Sequence, residues 1–322
     1  MRRLRDMILI KGLEGLKRQF KDPVLTIGNF DGVHIGHQKI IKKVVEEAKK
    51  YSGTSVAMTF EPHPIKVLYP ERGIRTITTL EEKSRLMSIY GIDALIVVDF
   101  NREFASIHPE DFIKKILVDG IGVREVIVGH NYSFGKGRRG TTELLRRRGK
   151  RYGYSLHVVR NATLYGDVVS SSRIRSLILR GRVCEASLFL GRPYMINGLV
   201  IKGQGRGAKL LNTPTANIAS SNELIPKEGV YVVRVRLGGT LHWGVANIGR
   251  NPTFSPNNPL SYEVHILDFS EDILGRHLDL FFIDRIRDEK VFSDKDSLKE
   301  QIRKDILKAK EIISKKKPLP IL

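Results

Sequence analysis

Apolar and polar positions follow two different rules along this chain, and the change falls about 190 residues in. In the first part, short apolar runs at 24–27, 54–60, 94–98, 125–128 and 155–159 read as buried strands. Stretches of helical period lie between them. After 24–27, Ile40, Ile41, Val44, Val45 and Ala48 share one face with Lys and Glu opposite, which predicts a helix from His37 onward. A second helix opens at Thr79, a hydroxyl cap, and runs to about Tyr90. Further helices are predicted at 109–117, 174–181 and 183–190, a helical turn at 13–20, and a short strand at 7–10. Strand and helix in alternation predict a Rossmann-like parallel, doubly wound sheet.

Past Gly191-Arg-Pro193 the helical period disappears. Strand-like runs at 194–202, 229–237, 242–248, 262–269 and 277–286 are separated by turns. Within 229–237, Tyr231, Val233, Val235 and Leu237 alternate with Val232, Arg234 and Arg236, and Gly238-Gly239 follows as a turn. Five or six short strands in so small a segment predict a Greek-key β-barrel, closed by a helix at 297–313. The chain is therefore read as α/β followed by β, with domains at 1–190 and 191–322.

Composition changes this picture little. The single cysteine, Cys184, excludes an internal disulfide and a cysteine-based zinc site, and fits a reducing cytosol. Arg2, Arg3 and Arg5 make the first residues basic, but the apolar run behind them is too short for a secretion signal, and no run reaches membrane-spanning length. The net charge of +20 suits nucleic acid, anionic small substrates or a lysine-rich solvated surface. Basic residues concentrate at the N-terminus, at 136–151 and at Lys315-Lys316-Lys317, without interleaved aromatics, so no nucleic-acid partner is expected.

The chemistry begins where the first strongly apolar strand ends. Gly28-Asn-Phe-Asp-Gly-Val-His-Ile-Gly-His37 is a glycine-rich turn into a helix N-terminus, a place that favours phosphate. His34 and His37 stand there as donors to phosphate oxygens. A packing turn with structural histidines is the plainer alternative. Glu61-Pro-His-Pro64 predicts an extended loop around His63 at a strand's carboxyl end. The segment 129–140 has four glycines and two aromatics, and reads as a loop that closes on a planar ring. Val169-Ser-Ser-Ser-Arg-Ile-Arg175 places hydroxyls and two arginines at a helix start, where arginine opposes the dipole unless an anion sits there. In the second part, Gly203-Gln-Gly-Arg-Gly207 is a glycine-rich loop, and Glu263 stands in an otherwise apolar strand. A carboxylate there is costly unless it pairs with an arginine or acts as a base.

Gly28 to His37 resembles the first motif of the bacterial bifunctional riboflavin kinase/FMN adenylyltransferase family, within the nucleotidyltransferase superfamily of His-x-Gly-His proteins. Ser170-Ser-Ser-Arg-Ile-Arg175 is similar to its Ser-Ser-Thr-x-Ile-Arg motif. Leu211-Asn-Thr-Pro-Thr-Ala-Asn217 resembles Leu-Gly-Phe-Pro-Thr-Ala-Asn of the kinase part, and Asn247-Ile-Gly249 with Pro252-Thr-Phe254 its Asn-Ile-Gly-x-x-Pro-Thr-Phe loop. Arg285-Ile-Arg-Asp-Glu-Lys-Val-Phe292 resembles Arg-x-Glu-x-x-Phe. Two departures stand out: Asn131 and Ser133 replace Asp and Arg in Gly-x-Asp-Phe-Arg-Phe-Gly, and Asn212-Thr213 replace Gly and an aromatic residue.

The resemblance implies an enzyme that phosphorylates riboflavin to FMN with ATP and Mg2+, then adenylylates FMN to FAD. It implies Gly28, Asn29, Phe30, Asp31, His34, His37, Ser170, Ser171 and Arg175 around ATP in the first domain. Phe60, Pro62, His63, Asn131, Tyr132 and Phe134 would lie around the flavin. In the second domain it implies Gly203, Gly205, Gly207, Thr215 and Asn217 for ATP, the last two for magnesium. Asn247, Arg287 and Phe292 would meet the flavin, and Glu263 would be the base. A cytoplasmic monomer or weak homo-oligomer is expected. The alternatives are another nucleotidyltransferase of the His-x-Gly-His type with an RNA-binding barrel, and a non-catalytic flavin- or nucleic-acid-binding regulator.

Overall fold

The most apolar strand of the first half, β2 (Val24–Ile27), is buried along its whole length. In the computed structural model it lies inside a six-stranded, all-parallel sheet. The structure describes residues 7–202, 215–250, 260–292, 294–316 and 319–322. With β1 (Ile8–Lys11), β3 (Ser55–Glu61), β4 (Ala94–Asp99), β5 (Glu125–Gly129) and β6 (Ser155–Val159), the sheet order is β1-β4-β3-β2-β5-β6. Strand order reverses at β2, whose neighbours are β3 on one side and β5 on the other. The carboxyl ends of β2 and β5 thus flank the crevice where open α/β sheets bind ligands.

Helix α1 (Ile35–Lys50) lies against β2, β3 and β5 and buries Ile41, Val44 and Ala48. It starts two residues earlier than its apolar period implies, because His34 caps it with its own side chain. Pro62 and Pro64 do not hold an extended loop as expected. The short helix α2 (Pro64–Leu68) begins directly after His63, with Pro64 at its first position, where a missing N–H costs nothing. Helix α3 (Leu80–Ile89) is capped by Thr79, whose hydroxyl accepts the Glu82 N–H at 3.1 Å. The helix expected at 109–117 is present and runs four residues further, with an α-helical first turn at Pro109–Asp111 followed by a π-wound α4 (Phe112–Ile121). α4 buries Phe112, Ile113, Leu117 and Ile121 in one cluster with Leu25 and Ile27 of β2. The turn expected at 13–20 is not helical. The basic run contains a helix that its hydropathy hides, α5 (Thr142–Tyr152), capped by Thr141.

Residues 7–171 and 172–322 form two compact units. This division falls ahead of the boundary read at 190/191. The reason lies in α7 (Val183–Leu190), which follows α6 (Ser171–Leu179) and packs against barrel strands β7 (Tyr194–Ile201) and β12 (His277–Arg287). The second unit is a closed antiparallel barrel of β7, β8 (Thr215–Ala219), β9 (Gly229–Leu237), β10 (Thr240–Arg250), β11 (Leu260–Ile266) and β12. Its strand order is β7-β8-β11-β10-β9-β12. Gly238 and Gly239 both have positive φ and join β9 to β10 in a two-residue hairpin. Helix α8 (Lys295–Lys315), capped by Asp294, buries Ala309 against Val232 and Ile283 on the barrel's outside.

Candidate active sites

In the N-terminal unit, the turn after β2 is fastened from several sides. The buried Asp31 accepts the backbone N–H of Ile77 at 2.7 Å, and the Gly32 N–H is received by Thr78 Oγ1 at 3.1 Å. The Asn29 carbonyl accepts the Thr59 hydroxyl at 3.1 Å, and the Asp31 carbonyl accepts the Ser171 hydroxyl at 2.9 Å. Phe30 is buried in a left-handed conformation, φ 48°, with its ring against Gly28. A side chain on Gly28 would lie 3.2 Å from that ring. The turn is therefore rigid, and its Asp31 works at least partly as a brace.

That brace presents the two histidines. His34 Nδ1 accepts the His37 backbone N–H at 3.2 Å, so a neutral His34 carries its proton on Nε2 and keeps it as a donor. The two imidazoles stack with centroids 3.6 Å apart, and Phe30 meets His37 edge-on at 5.3 Å. Burial, then His34, then Lys83 push the His37 pKa well below the ordinary histidine value, so His37 is neutral at pH 7. Its Nδ1 is buried without a partner among the described residues. An orphaned ring nitrogen at a helix N-terminus fits a phosphoryl group better than a finished packing site.

Around the same strand ends stand the residues expected to meet a planar ring. Phe60 packs against Phe100 and Phe104 at 5.6 and 5.9 Å, and belongs to the fringe of the core. Pro62 is exposed. His63 is buried, and its Nδ1 accepts the Ile65 N–H at 3.2 Å. The segment after β5 folds into a small ribbon, Ser133–Phe134 against Gly140–Thr141, rather than an open loop. Tyr132 and Phe134 stack there at 5.6 Å. The Tyr132 hydroxyl is buried and unpartnered among the described residues, and burial pushes its pKa up. Asn131 is exposed and bonds His130 at 3.0 Å, while Ser133 receives Arg138 at 2.8 Å. Ser170 precedes α6, and Ser171 and Arg175 stand four residues apart on that helix, one above the other.

In the barrel, the strand register assembles a site from distant segments. Glu263 pairs with Asn217 on one side and Asn247 on the other. These three and Thr215 occupy the half-buried alternate positions, while Ala216, Ile218, Tyr262, Val264, Ala246 and Ile248 point into the barrel. Glu263 is therefore not in a strand apolar on both sides. Its strand alternates, and its own face also carries His265. Thr215 and Asn217, two apart on β8, project from the same face. The Pro-Thr-Ala-Asn segment thus enters a strand at Thr215, and Asn247 to Arg250 end a strand instead of forming a loop.

Thr215 and Lys202 also line an open pocket of about 310 Å³, with Val264, Phe269 and Asp272 among its other walls. Arg287 is committed elsewhere. It forms a bidentate ion pair with the buried Asp305 of α8 at 2.9 and 2.7 Å, with the Phe292 ring 6.0 Å from its guanidinium. Gly203, Gly205, Gly207, Asn212 and Thr213 lie outside the described residues, as does Pro252-Thr-Phe254.

Magnesium fits this donor set. Hard oxygen donors on one strand face suit an ion that takes few protein ligands and completes its shell with water and phosphate. Among the described residues no group of three or more His, Cys, Asp or Glu side chains gathers to hold a metal ion.

These features define a nucleotidyltransferase-type α/β unit joined to a flavokinase-type barrel. The FAD synthetase family model matches residues 16–173, and the riboflavin kinase family model matches 190–313. A bifunctional riboflavin kinase/FMN adenylyltransferase of Escherichia coli K12 is 36% identical over 97% of this chain and 100% of its own length. Its counterpart in Buchnera aphidicola of Acyrthosiphon pisum is 36% identical over 94% and 96%. A Streptococcus pneumoniae crystal structure described as a macrolide-efflux protein superposes with a TM-score of 0.85 at 30% identity, covering 94% of this chain and 98% of that one. The chain belongs to the bifunctional riboflavin kinase/FMN adenylyltransferase family.

Proposed function

We propose that this chain makes FAD from riboflavin in two steps, one in each unit. The barrel transfers the γ-phosphoryl group of ATP to the 5′-hydroxyl of riboflavin, giving FMN. The N-terminal unit joins FMN to the adenylyl group of ATP and releases pyrophosphate. The observation that carries this reading is that each unit assembles its own phosphoryl-transfer set. One holds a stacked histidine pair at a helix N-terminus, and the other holds Glu263 between Asn217 and Asn247.

In the kinase, Glu263 takes the proton of the attacking hydroxyl. The Thr215 hydroxyl and the Asn217 side-chain oxygen would hold magnesium and orient ATP, and the ion when bound would supply positive charge against the phosphates. Gly203, Gly205 and Gly207 complete the nucleotide loop, while Asn247 and Phe292 face the flavin. Arg287 acts there by fixing α8 through Asp305.

In adenylyl transfer, an FMN phosphate oxygen attacks the α-phosphorus of ATP, and the bond to pyrophosphate breaks. No protein nucleophile is needed. Gly28 to Asp31 shape the turn, and His34 and His37 stabilise the charge that builds on the phosphates. Ser170, Ser171 and Arg175 receive the pyrophosphate. Phe60, Pro62, His63, Asn131, Tyr132 and Phe134 surround the isoalloxazine. We place the functional boundary at 190/191 and read the enzyme as a monomer or weak homo-oligomer; the lone cysteine suits a reducing cytoplasm.

Purified protein incubated with riboflavin, ATP and magnesium should yield FMN and then FAD on chromatography. FMN alone would remove the N-terminal assignment, and no conversion from either flavin would remove both.

A further inference from the structure

Lys83 is the only buried lysine among the described residues, with 5% of its surface exposed. It sits on the inner face of α3 beside Leu86 and Met87, a position an apolar side chain of similar length would fill at no electrostatic cost. Its ammonium donates to Thr59 Oγ1 at 3.3 Å, and Thr59 in turn donates to the Asn29 carbonyl at 3.1 Å. Among the described residues no carboxylate lies within ion-pair distance of it. Asp31 and Glu61 attract it only from beyond ion-pair distance, and a buried cation whose one direct partner is a neutral hydroxyl is expensive. It stands at the carboxyl ends of β2 and β3, where a parallel sheet receives anions.

We infer that Lys83 is a positioning residue for adenylyl transfer. Through Thr59 it fixes the Asn29 end of the phosphate turn, and its charge, which no described carboxylate contacts directly, is reserved for the phosphate groups of the bound nucleotide. The inference rests on the N-terminal site assigned above. Two further observations agree with it. Burial lowers the Lys83 pKa against the opposing pull of Asp31 and Glu61, with Lys66 adding to the lowering, so an arriving anion gives the ammonium the partner it lacks. The Lys83 charge also reaches His37, whose pKa it helps to depress, so the lysine and the histidine pair act in one field.

Lys83→Gln separates the two roles, because the amide still donates to Thr59 but carries no charge. Adenylyl-transfer kcat with supplied FMN should fall about 100-fold. Pyrophosphate affinity by calorimetry should fall about tenfold, while riboflavin kinase turnover by the same chain stays unchanged. The acid limb of the adenylyl-transfer pH profile should move to higher pH, since losing the cation lets the His37 pKa rise. A purely structural lysine would move neither the pH limb nor pyrophosphate binding. Unchanged kcat together with unchanged pyrophosphate affinity in Lys83→Gln overturns the proposal.

Should that variant not fold, Lys83→Arg keeps the charge. It must hold pyrophosphate within about threefold of the parent chain, and a larger loss also overturns the proposal. If the parent chain does not adenylylate FMN, the assigned reaction fails. The pyrophosphate comparison between parent and Lys83→Gln then decides the role of the lysine alone.

Discussion

In the N-terminal unit the candidate site is built on one short stretch, Gly28 to His37, whose two histidines sit a single helical turn apart. In the barrel, Asn217, Glu263 and Asn247 come from three strands and meet only because β8, β11 and β10 pair in one register. The first design is local. The helix supplies its own donors, His34 caps it, and the rest of the unit braces the turn through Asp31, Thr59 and Ser171. The second is non-local, so a shift of one residue in β11 would send Glu263 into the barrel and Tyr262 out. A local site survives small changes in packing, and a register-built site depends on the whole barrel.

The largest test of that contrast is Glu263→Gln. It should lower riboflavin phosphorylation by about 10²- to 10⁴-fold, the usual worth of a general base. FAD formation from supplied FMN should persist, as followed by flavin chromatography. Loss of both would mean that the sites are not independent. His37→Ala should do the reverse, cutting FAD formation about 10²- to 10³-fold while FMN still accumulates.

The barrel's dependence on its whole frame is sharpened by Asp305→Ala. It leaves the half-buried Arg287 guanidinium with only the Asp288 carbonyl as hydrogen-bond partner among the described residues, and should cost about 2–3 kcal/mol, below the range for a fully buried unpaired charge. A calorimetric melt should show the barrel transition lowered. An unchanged melt would mean α8 is not what holds this side of the barrel.

Smaller effects belong to the local site. His37 has a folded pKa below its unfolded value of about 6.5. Below that pH the unfolded chain therefore binds more protons than the native one. Stability falls as pH drops through this range and gains nothing above it. The contribution is at most about 1.4 kcal/mol per pH unit, and His37→Gln should abolish it, flattening Tm between pH 7 and 5 relative to the parent chain. Thr79→Ala, which removes the cap of α3, should cost about 1 kcal/mol by denaturant titration. Because α3 carries Lys83, it should disturb FAD formation more than FMN formation.

Much of the fold was written in periodicity. Val24–Ile27, Ala94–Asp99 and Glu125–Gly129 are strands because short, mostly apolar runs had to be covered on both faces of a parallel sheet. The hairpin at Gly238-Gly239 was legible because only glycine adopts both positive φ values cheaply. Other elements were hidden. α5 is a helix of arginines with only Leu145 and Gly149 buried, so its period carries little hydropathy signal. β8 opens inside a Pro-Thr-Ala-Asn string that looks like a turn, and it is a strand because β7 and β11 supply its hydrogen bonds. Lys83 left one trace in the sequence, a charge on the apolar stripe of α3 between Leu80 and Leu86.

The sequence by itself determined the strand order's raw material, the turn after β2, the histidine pair and the change from α/β to β. Each of these depends on neighbours within a few residues, where local sterics and hydropathy act directly. Tertiary structure alone decided that Asn217, Glu263 and Asn247 share a row, that Arg287 is bound to Asp305, and that Lys83 is buried behind the turn after β2 with no described carboxylate in direct contact. Those outcomes depend on register and burial between segments far apart in the chain. The electrostatic worth of a charge is set by what surrounds it after folding, and no residue's identity records that.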